Sequence, residues 1–144
     1  CEYIQHAWEA LGFKVEVNIN PPSTHRQQVS KSQLSIFRGS WIADYADAEN
    51  YLALFYSGNH SPNGPNYTHF SNSEFDDLYE KSLCIPELVN RIPLYEKMDS
   101  IVINQAAIIP LYYDNVLRFS HKRVKALGSN AMNLLDLKKV KIIN

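Results

Sequence analysis

Gly39-Ser40-Trp41-Ile42-Ala43-Asp44-Tyr45-Ala46-Asp47-Ala48-Glu49-Asn50-Tyr51-Leu52 is the stretch on which the reading of this chain turns. Leu34, Ile36 and Phe37 lead into it as an apolar run, which predicts a strand reaching Gly39-Ser40-Trp41. At its other end Asp47 has the character of an N-cap, opening a helix that carries Tyr51, Leu52, Leu54 and Phe55. Trp41 and Tyr45 therefore flank the end of a predicted strand.

Upstream, Ile4, Ala7, Trp8 and Leu11 fall at i, i+3, i+4 and i+7, an amphipathic helix with Gly12 placed to close it in a left-handed turn. The period then switches to two. Phe13, Val15, Val17 and Ile19 alternate with Lys14, Glu16 and Asn18, predicting a half-buried strand that Pro21-Pro22 ends. Ser23 or Thr24 can cap a short polar helix running to about Lys31. Helix, strand, helix, strand is an α/β unit. In such units ligands lie beyond the carboxyl ends of the strands, which places the expected site at Gly39 to Tyr45.

Downstream, Ser57 to Ser71 holds two prolines and two glycines and is expected to be a long exposed loop, a class that is commonly functional or mobile. A helix from Ser73 places Phe75, Leu78 and Tyr79 on one face, and a longer one from about Asn90 turns Tyr95, Met98 and Val102 inward. Pro93 fits that helix only in its first turn. From Ile108 the pattern is mostly extended, with short apolar runs at Val116 to Phe119, Val124 to Leu127 and Val140 to Ile143. There is no internal repeat.

Composition narrows the function classes. With 144 residues, 45% hydrophobic and 20% charged, the chain can build a core, which excludes disorder. Fourteen Lys and Arg against fifteen Asp and Glu leave a net charge of -1, without the basic surface that nucleic-acid phosphates require. The basic runs at 121–125 and 138–141 read as solvated faces. Ile101 to Tyr113, the most apolar stretch, is broken by Asn104, Gln105 and Pro110 and is too short to span a bilayer. Cys1 and Cys84 do not make a disulfide framework. Cys1 enters a helical pattern at once and is read as the ragged start of a truncated chain, with no secretion signal in the stretch given.

Chemistry-bearing clusters are sparse. Asp44, Asp47 and Glu49 lack the alternating register and central glycine of a calcium loop. His60 and His69 with Asp76 or Asp77 lack zinc-ligand spacing and read as solvated loop histidines. Asp76 and Asp77 lie early in a helix, where the dipole stabilises them. No metal or cofactor is expected. Gly39-Ser40-Trp41 lacks the glycine two residues after the serine that a nucleophile elbow needs, so no catalytic signal is present. A hydrolase using Ser40 with one of the histidines is kept only as an alternative. More than half of the aromatic residues fall between Phe37 and Tyr79, a core or a pocket wall.

Taken together, the Gly39 to Leu52 run resembles the Trp-x-Ala-Asp-Tyr-Pro-Asp-Pro-x-x-Phe-Leu segment of the extracellular solute-binding proteins of family 5, the peptide-binding components of ABC importers. Asn66-Tyr67, Asn72-Ser73-Glu74-Phe75-Asp76-Asp77-Leu78, Arg91 with Leu94-Tyr95, and Ile109-Pro110-Leu111-Tyr112 follow in the order of that family. The resemblance covers residue 2 to about 128. Ala46 and Ala48 stand where the family has prolines, leaving the turn less pre-organised.

The resemblance implies an α/β lobe of the type II periplasmic binding protein class, a mixed sheet with flanking helices, as an incomplete fragment of a two-lobe protein. Residues 1–114 would form most of the second lobe and 115–144 a tail of short strands returning to the missing N-terminal lobe. It implies an oligopeptide ligand, with the Asp44 carboxylate meeting its amino group, Trp41 and Tyr45 lining a pocket, and Gly39 and Ser40 offering backbone to its main chain. The permease subunits would be its partners, and the place of action the periplasm or cell exterior, with a lipoprotein anchor on the intact protein left open. The alternative ligand is a non-peptide solute, such as a nickel chelate or an oligosaccharide.

Overall fold

The computed structural model describes residues 1–130 and 134–143. Helices α1 (Glu2–Glu9), α2 (Pro22–Ser30), α3 (Glu49–Leu52), α4 (Ser73–Leu83) and α5 (Leu88–Asn104) precede strands β1 (Val124–Lys125) and β2 (Lys141–Ile142). A 3₁₀ turn at Ser57–Asn59 follows α3.

The core lies where α3, α4 and α5 meet. Leu52, Phe55, Phe75, Tyr79, Tyr95, Met98 and Val102 form one buried cluster. Phe75 and Met98 are fully enclosed, and each such side chain contributes about 1.5–3 kcal/mol relative to exposure. Phe55, Phe70 and Phe75 meet edge to face with centroids 5.7–6.4 Å apart, the arrangement that sets ring edge against ring face. The inward positions expected from periodicity in α4 and α5 are thus the buried ones, except Leu78, which packs half-buried at the margin.

Helix ends are met with small shifts. Gly12 is left-handed at φ 92°, and the Gly12 and Phe13 amides take the Glu9 and Trp8 carbonyls, closing α1 as its glycine predicted. α2 begins at Pro22 behind Pro21, not behind Ser23 or Thr24, because a proline at the first position loses no intrahelical bond. Asn72 caps α4 by accepting the Phe75 amide at 2.8 Å. α5 starts at Leu88, two residues earlier than expected, so Pro93 lies beyond its first turn. Pro93 and Val89, whose carbonyl it leaves unbonded within the helix, are both exposed, so water can reach that face.

The sheet is the main departure. Among the described residues the one sheet has two strands, with Val124 opposite Ile142 and Lys125 opposite Lys141, antiparallel. The mixed sheet expected of an α/β lobe is not formed there. Residues 13–20 and 38–43 have no sheet partner, and Phe13 and Ile19 are 64% and 92% exposed. Alternation marks a strand with one apolar face, but pairing needs a neighbour for its N–H and C=O groups. Residues 131–133 and 144, inside the expected tail, lie outside the described residues.

The loop from Ser57 to Ser71 also differs from expectation. It is built around Asn66, which is fully buried. Asn66 Nδ2 donates to the Tyr56 and Phe70 carbonyls at 3.0 and 2.9 Å. Its Oδ1 accepts from the Thr68 hydroxyl and the Phe70 amide at 3.1 and 3.2 Å. A loop can bury its backbone only when its polar groups are satisfied in this way.

Candidate functional site

Two of the three acidic residues of the central segment are held by neighbours. Asp47 Oδ2 lies 2.7 Å from Arg91 Nη1 of α5, and its Oδ1 accepts from the Glu49 amide at 3.0 Å and the Tyr95 hydroxyl at 3.1 Å. Asp47 is not the N-cap its character predicted: the cap position of α3 falls on Ala48, and Asp47 reaches the Glu49 amide from the residue before it. Burial alone would raise the Asp47 carboxyl, but its bonds from Glu49, Arg91 and Tyr95 hold it below the usual carboxylate range. Glu49 accepts from the hydroxyls of Tyr45 and Tyr79. The Glu49 bond pushes the Tyr45 hydroxyl above its ordinary value, against a smaller downward pull from Asn50. Burial, followed by Glu49, raises Tyr79.

Asp44 is different. It is exposed, and among the described residues its carboxylate makes no hydrogen bond or ion pair. Its amide is fixed instead, donating to Asn50 Oδ1 at 3.2 Å. The same oxygen accepts from Trp41 Nε1 at 2.8 Å. Trp41 and Asp44 thus gather around one buried side chain.

Gly39 and Ser40 stand apart from this group. Both are exposed and line an open groove of about 540 Å³ together with residues 17–20, His25, Arg26 and Arg38. His25 Nε2 donates to the Arg38 carbonyl at 3.0 Å, and Arg38 Nη2 to the Tyr112 hydroxyl at 3.0 Å. The groove is basic beside Ser40, whereas the Asp44 group is acidic.

The histidines of the loop are not simply solvated. His60 and His69 stack with centroids 4.9 Å apart, His60 Nε2 donates to the Phe70 carbonyl, and His69 Nε2 to the Ser61 carbonyl, both at 3.0 Å. Asp76, once a conceivable partner for them, takes the Ser57 amide and hydroxyl at 3.1 and 2.6 Å. Among the described residues no three His, Cys, Asp or Glu side chains form a metal-holding group, and no helix is long and apolar enough to cross a membrane. No hydrogen bond joins Ser40 to a histidine among the described residues.

Sequence reading missed Asn50, Glu49, Tyr79, Arg91 and Tyr95 as parts of this arrangement. Arg91 and Tyr95 carried one available signal, since residues four apart share a helix face, and Arg91 Nη1 donates to the Tyr95 hydroxyl at 2.8 Å. Asn50 had none beyond its place after Asp47.

Residues 1–63 match the family model for bacterial extracellular solute-binding proteins, family 5, middle part. The chain is 30% identical over 112 residues to a dipeptide-binding protein of Bacillus subtilis, covering 78% of this chain and 20% of that protein. It is 27% identical over 128 residues to a probable D,D-dipeptide-binding periplasmic protein of Escherichia coli, covering 89% of this chain and 25% of that one. A heme-binding protein of Haemophilus influenzae is 28% identical over 111 residues, 77% of this chain and 20% of the relative. The chain thus spans about a fifth to a quarter of the length of these relatives. The family match at residues 1–63 and these relatives together support a fragment of a bacterial extracellular solute-binding protein of family 5.

Proposed function

We propose that this chain contributes the ligand-facing part of one lobe of a two-lobe peptide-binding protein, which hands short peptides to an ABC permease outside the cytoplasmic membrane. The observation that carries the reading is Asp44. It is an exposed carboxylate without a partner among the described residues, three residues from an aspartate that is fully engaged. A peptide ammonium enclosed by closing lobes needs such a counter-charge, since leaving a buried charge unpaired costs about 3–5 kcal/mol. Trp41 beside it supplies a flat wall, and the groove at Gly39 and Ser40 offers backbone to an extended main chain. Closure around the ligand then defines the shape that the permease reads.

In this reading the unpaired extended segments 13–20 and 38–43 complete a mixed sheet within the whole lobe, and the chain from 115 onward returns to the other lobe. The chain alone therefore binds mixed di- to pentapeptides no tighter than about millimolar, some 4 kcal/mol, when titrated in a calorimeter. A micromolar complex would overturn the two-lobe requirement. In the whole gene product, Asp44→Ala weakens peptides with a free amino terminus far more than their acetylated forms. Equal losses would refute the amine role. A second reading, a non-peptide ligand, is favoured by the heme-binding name of one relative, and binding of heme but no peptide by the gene product would establish it.

A further inference from the structure

Asn50 lies in α3 with only 6% of its surface exposed. A buried carboxamide oxygen must be satisfied, and this one is satisfied by the indole N–H of Trp41 at 2.8 Å and the amide of Asp44 at 3.2 Å. Those donors belong to the two residues on which the peptide reading above rests. We infer that Asn50 is a positioning residue for ligand capture, one acceptor that sets both the plane of the Trp41 indole and the direction of the Asp44 backbone.

The anchor itself is held. Asn50 follows Glu49, which bonds Tyr79 of α4, and precedes Leu52 in the core, while Asp47 one turn earlier is tied to Arg91 and Tyr95 of α5. A base of three helices thereby transmits its order to Trp41 and Asp44 through Asn50, and to Tyr45 through Glu49, in a segment that has no sheet partner of its own. Without the acceptor the indole is free to rotate, the Asp44 amide loses its partner, and of its side-chain bonds the 41–45 segment keeps only that from the Tyr45 hydroxyl to Glu49. Ligand binding then has to order both, which lowers affinity although neither residue has changed. Asn50 need not touch ligand to have this effect.

The test begins without any substitution. The chain contains two tryptophans, Trp8 and Trp41, whose indole N–H signals are separable by nitrogen-15 NMR, with Trp8→Phe to assign them. In the unsubstituted 144-residue chain the Trp41 indole proton exchanges with solvent at least about tenfold more slowly than that of Trp8, the protection of one maintained hydrogen bond. Asn50→Ala removes that protection and shifts the Trp41 signal while leaving the Trp8 signal in place. Asn50→Asp, which keeps an acceptor oxygen, restores it. Equal exchange of the two indoles in the unsubstituted chain overturns the inference whether or not a variant folds, as does an unmoved Trp41 signal in a folded Asn50→Ala chain.

In the whole gene product, Asn50→Ala weakens peptides with a free amino terminus by about tenfold, the size of one or two lost hydrogen bonds, and Asn50→Asp recovers most of it. Full affinity in a folded Asn50→Ala protein overturns the positioning role. If the unsubstituted gene product binds no peptide, the peptide reading fails, and the indole result still decides whether Asn50 orders the segment.

Discussion

Replacing Asn66 by alanine should be the most damaging polar substitution in the molecule outside the candidate site. The side chain makes four hydrogen bonds, two donated to the Tyr56 and Phe70 carbonyls and two accepted from Thr68 and the Phe70 amide, and it is 0% exposed. At about 0.5–1.5 kcal/mol net for each bond the gross loss is about 2–6 kcal/mol. Water entering the space left by the carboxamide offsets part of this by solvating the freed carbonyls, so the expected cost is about 3 kcal/mol. Urea denaturation of the 144-residue chain, followed by near-ultraviolet circular dichroism of the tyrosines around Phe75, measures it as a lower midpoint with unchanged slope. Asn66→Asp sharpens the result. It keeps the accepting oxygen but sets a carboxylate oxygen against two carbonyls, so its folded-state pKa rises above the unfolded one. Its deficit is largest at neutral pH and narrows as pH falls through that raised pKa. A cost below about 1 kcal/mol for Asn66→Ala would refute the view that this residue builds the loop.

The remaining predictions concern charge, backbone space and the core. The Asp47 carboxyl is depressed in the folded chain, so the stability it contributes is complete above its ordinary value near 3.8 and is lost as pH falls through the lower folded value. The thermal midpoint of Asp47→Asn should therefore lie below wild type at pH 7 and approach it as pH falls below that ordinary value, and a pH-independent gap would contradict this sign. Gly64→Ala should destabilise strongly, because its new Cβ would lie 2.4 Å from the Asn59 carbonyl oxygen. Gly39→Ala, whose Cβ meets nothing closer than the Phe37 ring at 3.6 Å, should stay within about 0.5 kcal/mol of wild type in the same urea measurement. Met98→Ala should cost about 2–5 kcal/mol by calorimetric or urea unfolding, since its side chain is wholly enclosed between the helices.

Local pattern determined the helices and their inner faces. Phe75 and Tyr79 in α4, and Tyr95, Met98 and Val102 in α5, recur at helical spacing, and a helix that buries one stripe leaves that spacing in its sequence. Gly12 marked the end of α1 for the equally local reason that a left-handed residue there is favoured without a Cβ. The Gly39 to Leu52 run carried the family resemblance, and it lies within the residues 1–63 that match the family model. Tertiary structure alone decided which carboxylate is engaged. Asp44 and Asp47 look alike in the sequence, but the Tyr95 hydroxyl that reaches Asp47 comes from 48 residues away, and the Trp41 and Asp44 donors converge on Asn50 from nine and six residues upstream. The same holds for Asn66, one asparagine in a loop rich in turn formers until its four bonds are seen. Hydrogen bonds between distant side chains have no period to read, and a strand's alternation names its apolar face but not the neighbour that must take its backbone groups.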